Sequence, residues 1–392
     1  MRRLLLALGF TVAAASAQAQ QTLIRAGRMI DVRTGAVSRN VTILVENGRI
    51  STIGPTSARP TDTLDLSAYT VLPGLIDGHV HLTIGGTVRA NALADLRAGF
   101  TTIVDLGARG TRILRLRDSI NTGAIPGPRV LAAGIWIGRK DGVCEFSGIG
   151  IAGGAEEFRN RVRENAEAGA DLMKACVSGW PADAYARPQS YELPDSILAA
   201  IVDESRRVHR KVIAHDISLG GVGAALRTGV DGLAHAAYVD SATAAQMVAK
   251  GMFVVSTLAS LTSMDSTAPS RALFESFNRI YRAGVPIVFG TDGGVLPHGD
   301  NAKEFPALAR AGVPTIDAIR AATINAARAF GIADSVGTLE RGKVADLIAV
   351  DGDPLADLGA LERVRVVMSR GRVVRDDRKS KPSLDGTRRR SK

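Results

Sequence analysis

The chain has 392 residues, 45% of them hydrophobic and 4% aromatic, with 42 glycines and two cysteines. That length holds one large α/β domain of about 250 residues and a smaller accessory one, and so few cysteines exclude a fold stapled by disulfides. The formal charge of +10 invites an anionic partner, but Arg388, Arg389, Arg390 and Lys392 gather part of it in a terminal tail; without basic motifs interleaved with aromatics, the tail reads as a solvated end and no nucleic acid partner is expected.

Residues 1–19, MRRLLLALGFTVAAASAQA, have a basic start at Arg2 and Arg3, an apolar core, and Ala17 and Ala19 spaced as a small-x-small cleavage site. This is the pattern of a signal peptide. Its removal leaves Gln20 at the new N-terminus and lowers the formal charge from +10 to +8. No later segment offers the roughly 20 unbroken apolar residues of a membrane span, so a periplasmic or secreted protein is expected.

From Thr22 to Leu66, short strand-like runs alternate with turns, and Asn47-Gly48 between apolar runs signals a type I′ hairpin. Ala345 to Val350 and Val364 to Val374 have the same texture. Residues 20–72 and 336–378 are therefore expected to form one small β domain built from both ends, with a basic tail over 379–392.

Between them, residues 73–335 alternate apolar strand-like runs with helical stretches such as Glu156 to Glu167 and Ser196 to Val208. The strand candidates are GLIDGHVHL, TTIVDLG, RVLAAG, LMKACVSG, KVIAHDIS, GLAHAAY, MFVVSTLAS and PIVFGTDGG. Eight such units predict a (β/α)₈ TIM-like barrel with its active site at the C-terminal ends of the strands. The longest irregular connection, Ile135 to Ala155, follows the third strand and carries Trp136, Cys144 and Phe146. A loop of this length is a candidate lid.

Chemistry-bearing residues fall at those strand ends: His79 and His81 on the first, Lys174 on the fourth, His215 on the fifth, His235 on the sixth and Asp292 on the eighth. The chain has six histidines, and four of them occupy these positions. Singly, His215 or His235 reads as a core histidine and Asp292 as a helix cap. A buried lysine without a partner is expensive, and a metal site accounts for all six residues together. Imidazole nitrogen and carboxylate oxygen suit Zn²⁺ and similar divalent ions.

These motifs, with HGDN (His298 to Asn301), AATINAARAFG and GTLERGKVADLIAVDGDPL, resemble the amidohydrolase superfamily, specifically its binuclear imidazolonepropionase-like and prolidase-like members. The resemblance spans nearly the whole mature chain. It implies a β-sandwich from both termini, one divalent ion on His79, His81 and Asp292, a second on His215 and His235, and Lys174 N6-carboxylated by CO₂ between them. It also implies hydrolysis of an amide bond, with Asp292 as proton shuttle for a water shared by two ions; such a water can lose its proton near neutral pH.

The expected substrate is a dipeptide or N-acyl amino acid with a free carboxylate, contacted by His298 or Tyr238. Prolidase-like members often carry a tyrosine two residues after the fifth-strand histidine, where this chain has Ile217. A hydrolase or deaminase of cyclic amides, lactones or imidazolone-type rings is the alternative, and a binding protein that kept the fold is a third reading. A homo-oligomer is left open. Cys176 follows Lys174 by two positions, on the same side of the strand, and the loop carrying Cys144 emerges at that face. A Cys144–Cys176 disulfide is therefore expected in an oxidising compartment, with two buried thiols as the alternative.

Overall fold

The structure, a computed structural model, describes residues 21–58, 60, 62–146, 148–264 and 268–378. The signal segment over residues 1–19 and the tail over 379–392 lie outside the described residues. The strands in chain order are β1 (Gln21–Ile30), β2 (Val37–Glu46), β3 (Arg49–Ile53), β4 (Asp62–Pro73), β5 (Leu75–Val80), β6 (Phe100–Asp105), β7 (Arg129–Ala132) and β8 (Met173–Cys176). They continue with β9 (Val212–Asp216), β10 (Gly232–His235), β11 (Phe253–Val255), β12 (Ile287–Val288), β13 (Leu347–Val350), β14 (Val364–Ser369) and β15 (Arg372–Asp376).

Strands from both ends of the chain join in one seven-stranded sheet, ordered β15-β14-β13-β4-β1-β2-β3. The β2–β3 turn has Asn47 at φ 51° and Gly48 at φ 77°, both on the positive side, as a type I′ turn requires. Arg49 bridges Val344, and the Ala345 amide donates to the Gly48 carbonyl. The β3 edge therefore returns to the β13 side, and the sheet wraps around Ile24, Ile43, Val45, Leu66, Leu347 and Val366. Where two facing sheets were expected, a single sheet covers its own core by curling.

β5 to β12 are the parallel strands, arranged as β5-β6-β7 and β8-β9-β10-β11-β12. Two seams join these sheets. Ile137, beyond β7, bridges Ala175 in β8, and Val80 in β5 bridges Gly293 beyond β12. One buried cluster draws Ile76, Val104, Ala133, Leu172, Ile213, Ala234, Val255 and Val288 from or next to each of the eight strands. Helices cover the outside. Ala155–Glu167 buries Phe158, Val162 and Asn165 and carries Glu156 and Glu157 in its first turn, where carboxylates favour the helix dipole. Burying the Phe158 side chain contributes about 1.5–3 kcal/mol. Asp195–Arg207 likewise buries Leu198, Ile201, Val202 and Ser205 and ends on Arg206 and Arg207.

The strands are shorter than the apolar runs. MFVVSTLAS yields β11 over three residues and then a helix, Leu258–Met264; PIVFGTDGG yields β12 over two. Positive φ angles at His235, Thr257 and Asp292 turn the chain where an extended backbone would continue.

Candidate metal centre

Alternation delivers two of the six residues. Leu172 and Ile213 belong to the inner cluster, and two positions on, facing the same side, are Lys174 and His215. β5 uses another device: its register against β6 shifts between Asp77 and Val80, an irregularity of the kind that re-aims a side chain. All six residues, His79, His81, Lys174, His215, His235 and Asp292, line a single pocket.

At its centre the Nε2 atoms of His79 and His81 are 3.2 Å apart, and Asp292 Oδ1 lies 3.3 Å from the first and 3.2 Å from the second. His81 Nδ1 is 3.0 Å from the Gly107 carbonyl, an oxygen that only accepts. In the neutral ring Nδ1 therefore carries the hydrogen and Nε2 the lone pair, so His81 Nε2 and Asp292 Oδ1 meet as two acceptors. A cation resolves that contact. Ligand atoms about 2.0–2.1 Å from a tetrahedral ion stand about 3.3–3.4 Å apart, close to the edges of this triangle. His79, His235 and Asp292 also present ligand atoms within 4.8 Å of one another, and the His215 and His235 rings are 4.5 Å apart.

Lys174 is 2% exposed, and its Nζ has no hydrogen-bond partner among the described residues. Burial, only partly offset by the Asp292 carboxylate, pulls its pKa down to about 7. Burial likewise holds the His79 and His235 imidazoles well below their ordinary range and His215 at about 3. Neutral imidazoles and an unpartnered amine are the donor forms a divalent ion and a lysine carbamate require. The residues present fit a metal centre.

Comparison with known proteins agrees with this chemistry. A model of the amidohydrolase family matches residues 70–374. The chain belongs to the amidohydrolase family. It is 28% identical to the ochratoxinase of Aspergillus niger, over 91% of this chain and 86% of that protein. Imidazolonepropionase of Thermoplasma volcanium is 23% identical, over 86% of this chain and 91% of its own. The solved structure of a Xaa-Pro dipeptidase with methionine in its active site superposes with a TM-score of 0.83, at 29% identity, over 91% of this chain and all of that one. Family and hydrolase relatives together make this amidohydrolase a metal-dependent amide-cleaving enzyme.

Neither expected substrate contact lines this pocket. His298 is directed away from the pocket: its Nδ1 is 2.9 Å from Asp95 and its Nε2 3.3 Å from the His81 carbonyl, with 3% of the side chain exposed. With both ring nitrogens engaged, it holds the backbone of a candidate ligand and offers nothing to a substrate. Tyr238 lies outside the pocket lining and packs on Tyr185, ring centroids 5.8 Å apart. Cys144 and Cys176 form a disulfide that ties the 135–155 loop to the end of β8.

Sequence reasoning missed the pocket walls. Besides the six residues above, they are Ile84, Trp136, Val143, Cys144, Phe146, Trp180 and Val295, all apolar or aromatic. Both tryptophans of the chain are here. The Trp136 ring sits 5.3 Å from His81 and 4.9 Å from Phe146. Gly107, at φ +123°, makes room for it, since a Cβ there would lie 2.4 Å from the indole nitrogen. Trp136 and Phe146 were legible as rare aromatics in the long loop after β7, whereas Trp180 follows β8 outside it and carried no such signal.

Proposed function

We propose that the chain is an exported binuclear metal-dependent hydrolase that cleaves the amide bond of dipeptides or N-acyl amino acids bearing a large apolar or aromatic group. The observation that carries this reading is the convergence of four imidazoles, a carboxylate and an unpartnered lysine in one pocket. We read the ring of eight parallel strands as a closed (β/α)₈ barrel with that pocket at its C-terminal mouth. His79, His81 and Asp292 would hold one ion, His215 and His235 the other, with carboxylated Lys174 between them; Zn²⁺ fits these donors. When bound, the ions supply an acidified water and polarise the scissile carbonyl.

The rest is done by the chain. Asp292 accepts the proton of the attacking water and returns it to the leaving amine nitrogen, as general base and then acid. Trp136, Phe146 and Trp180 exclude water and stack on the substrate's apolar group. Export rests on the leader pattern over residues 1–19.

The test is product analysis of the purified, zinc-loaded mature protein with an N-acyl amino acid, a dipeptide, a lactone and a nucleobase. Amide cleavage with about two metals per chain is expected, and Lys174→Ala should hold fewer, since a methyl group cannot supply the bridging oxygens. Deamination or lactone opening without amide cleavage would refute the substrate class. Two metals in Lys174→Ala would refute the carbamate.

A further inference from the structure

Each ion of the proposed pair would be held by two imidazoles, and in each pair one ring is anchored from behind and the other is not. His81 Nδ1 lies 3.0 Å from the Gly107 carbonyl, whereas His79 Nδ1 is buried with no hydrogen-bond partner among the described residues. In the second pair His235 Nδ1 lies 2.7 Å from the Thr257 hydroxyl, whereas His215 has a contact of 3.5 Å from Nε2 to the Gly179 carbonyl. The Thr257 side chain is thus the close anchor of the second pair.

Threonine is an unexpected residue at this position. Its φ of 68° lies in the left-handed region, which a β-branched residue rarely adopts, yet its surroundings hold it there. The Thr257 amide donates to the Gly290 carbonyl, and the Thr257 carbonyl accepts from the Leu261 amide and the Ser260 hydroxyl. The next two amides, of Leu258 and Ala259, donate to the buried Glu304 carboxylate. A strained conformation so firmly held points to a demand on the side chain. That side chain is fully buried and reaches back 22 residues to His235, which is itself buried and at φ 78°. A hydroxyl both donates and accepts, so it tolerates either tautomer of the ring, which a carbonyl does not. Where Nε2 gives its lone pair to an ion, Nδ1 carries the hydrogen, and the Thr257 oxygen is placed to accept it.

We propose that Thr257 is a positioning residue that holds the His235 ring with Nε2 facing the pocket and thereby sets the affinity of the centre for its second ion. The assignment rests on the two-ion reading above and deepens it, because it makes the two ions separable by one hydroxyl. A hydroxyl that only satisfied the core would, on removal, lower stability without distinguishing one ion from the other.

The experiment titrates zinc into metal-free wild type, Thr257→Gly, Thr257→Val and Thr257→Ser against a competing chelator, with Tm recorded for each. Thr257→Gly removes the hydroxyl and relieves the positive φ, so it decides the question should the isosteric Thr257→Val fail to fold. Wild type should bind two zinc ions. In Thr257→Gly one of them should weaken about 10–100-fold, the scale for losing a partner that orients a metal-binding histidine, while the other stays within about twofold. Thr257→Ser keeps the hydroxyl and should restore both. In ¹⁵N-histidine spectra of the zinc-loaded proteins, with His235 identified by its absence in His235→Asn, the ring should carry its hydrogen on Nδ1 in wild type and Thr257→Ser and give averaged signals in Thr257→Gly. If wild type binds a single zinc, the two-ion reading fails, and the spectra of the metal-free proteins decide the anchor alone: a His235 ring unchanged between wild type and Thr257→Gly would overturn it. Two zinc ions held at full affinity by Thr257→Gly, or equal weakening of both, would overturn it as well.

Discussion

Breaking the Cys144–Cys176 bond, by replacing both residues with alanine or by reducing the wild type, should loosen the wall of the metal pocket. The bond closes a loop of 32 residues, and the chain-entropy relation for a loop of that length gives about 3.7 kcal/mol at 25 °C. That figure is an upper bound for the local effect. Besides the disulfide, a handful of backbone bonds hold the segment: Ile137 to Lys174, Cys176 to Ile137, Lys140 to Ile151 and Ile151 to Gly138. Native-state hydrogen exchange reads these amides directly, and 3.7 kcal/mol corresponds to up to about 500-fold faster exchange through local opening. Amides in the seven-stranded sheet should not change. The alanine pair and the reduced wild type should agree, which separates the covalent tie from lost sulfur packing beside Trp136 and Val143. If exchange over residues 137–151 changed by less than about threefold in both, the bond would not be what holds the loop.

Two further outcomes follow from single side chains. Asp292→Asn should lower kcat by roughly 10²-fold or more, the scale of general acid–base catalysis; Asn tolerates the φ of 57° at this position, so unaltered kcat with both metals measured in place would eliminate the shuttle. Glu304 is fully buried, and burial, which outweighs the hydrogen bonds it receives from Ala259, Ser256 and Leu258, raises its pKa from 4.5 to about 8. Between those values the folded chain keeps a proton that the unfolded chain has lost, so this contribution to stability is complete below pH 4.5 and falls as pH rises towards 8. Glu304→Gln should therefore show a smaller drop in Tm between pH 5 and pH 8 than wild type; parallel Tm profiles would contradict it.

The parts of the site legible in the sequence are those whose residue types have few other uses. His79 and His81 end an apolar run, and Lys174 inside another run has no cheap structural explanation. Strand alternation then carries Lys174 and His215 to the inner face, as period-two reasoning anticipates. What sequence could not show depends on partners far along the chain. His298 follows Asp292 by six residues and reads as a loop histidine facing solvent or substrate. Its orientation is set by Asp95, 203 residues earlier, and no local pattern encodes that pairing.

The shortened strands give the buried carboxylates around the site a structural role. His235, Thr257 and Asp292 hold positive φ angles of 78°, 68° and 57°, and such conformations cost non-glycine residues about 1–3 kcal/mol each. Buried carboxylates sit beside two of these bends. Asp77 accepts from the amides of His79 and Thr291 and from the Thr291 hydroxyl, next to Asp292. Glu304 accepts from the amides of Leu258 and Ala259, directly after Thr257, and the Thr257 hydroxyl in turn lies 2.7 Å from His235 Nδ1. Asp105 does the same for Leu82 and Gly107, whose carbonyl sets the His81 tautomer. Each buried acid thus fixes a turn that would otherwise relax toward extended backbone, and each fixed turn aims a candidate ligand. The cost of burying them is recovered as a site whose donors are already in place before an ion arrives, the preorganisation on which catalysis by positioned charge depends.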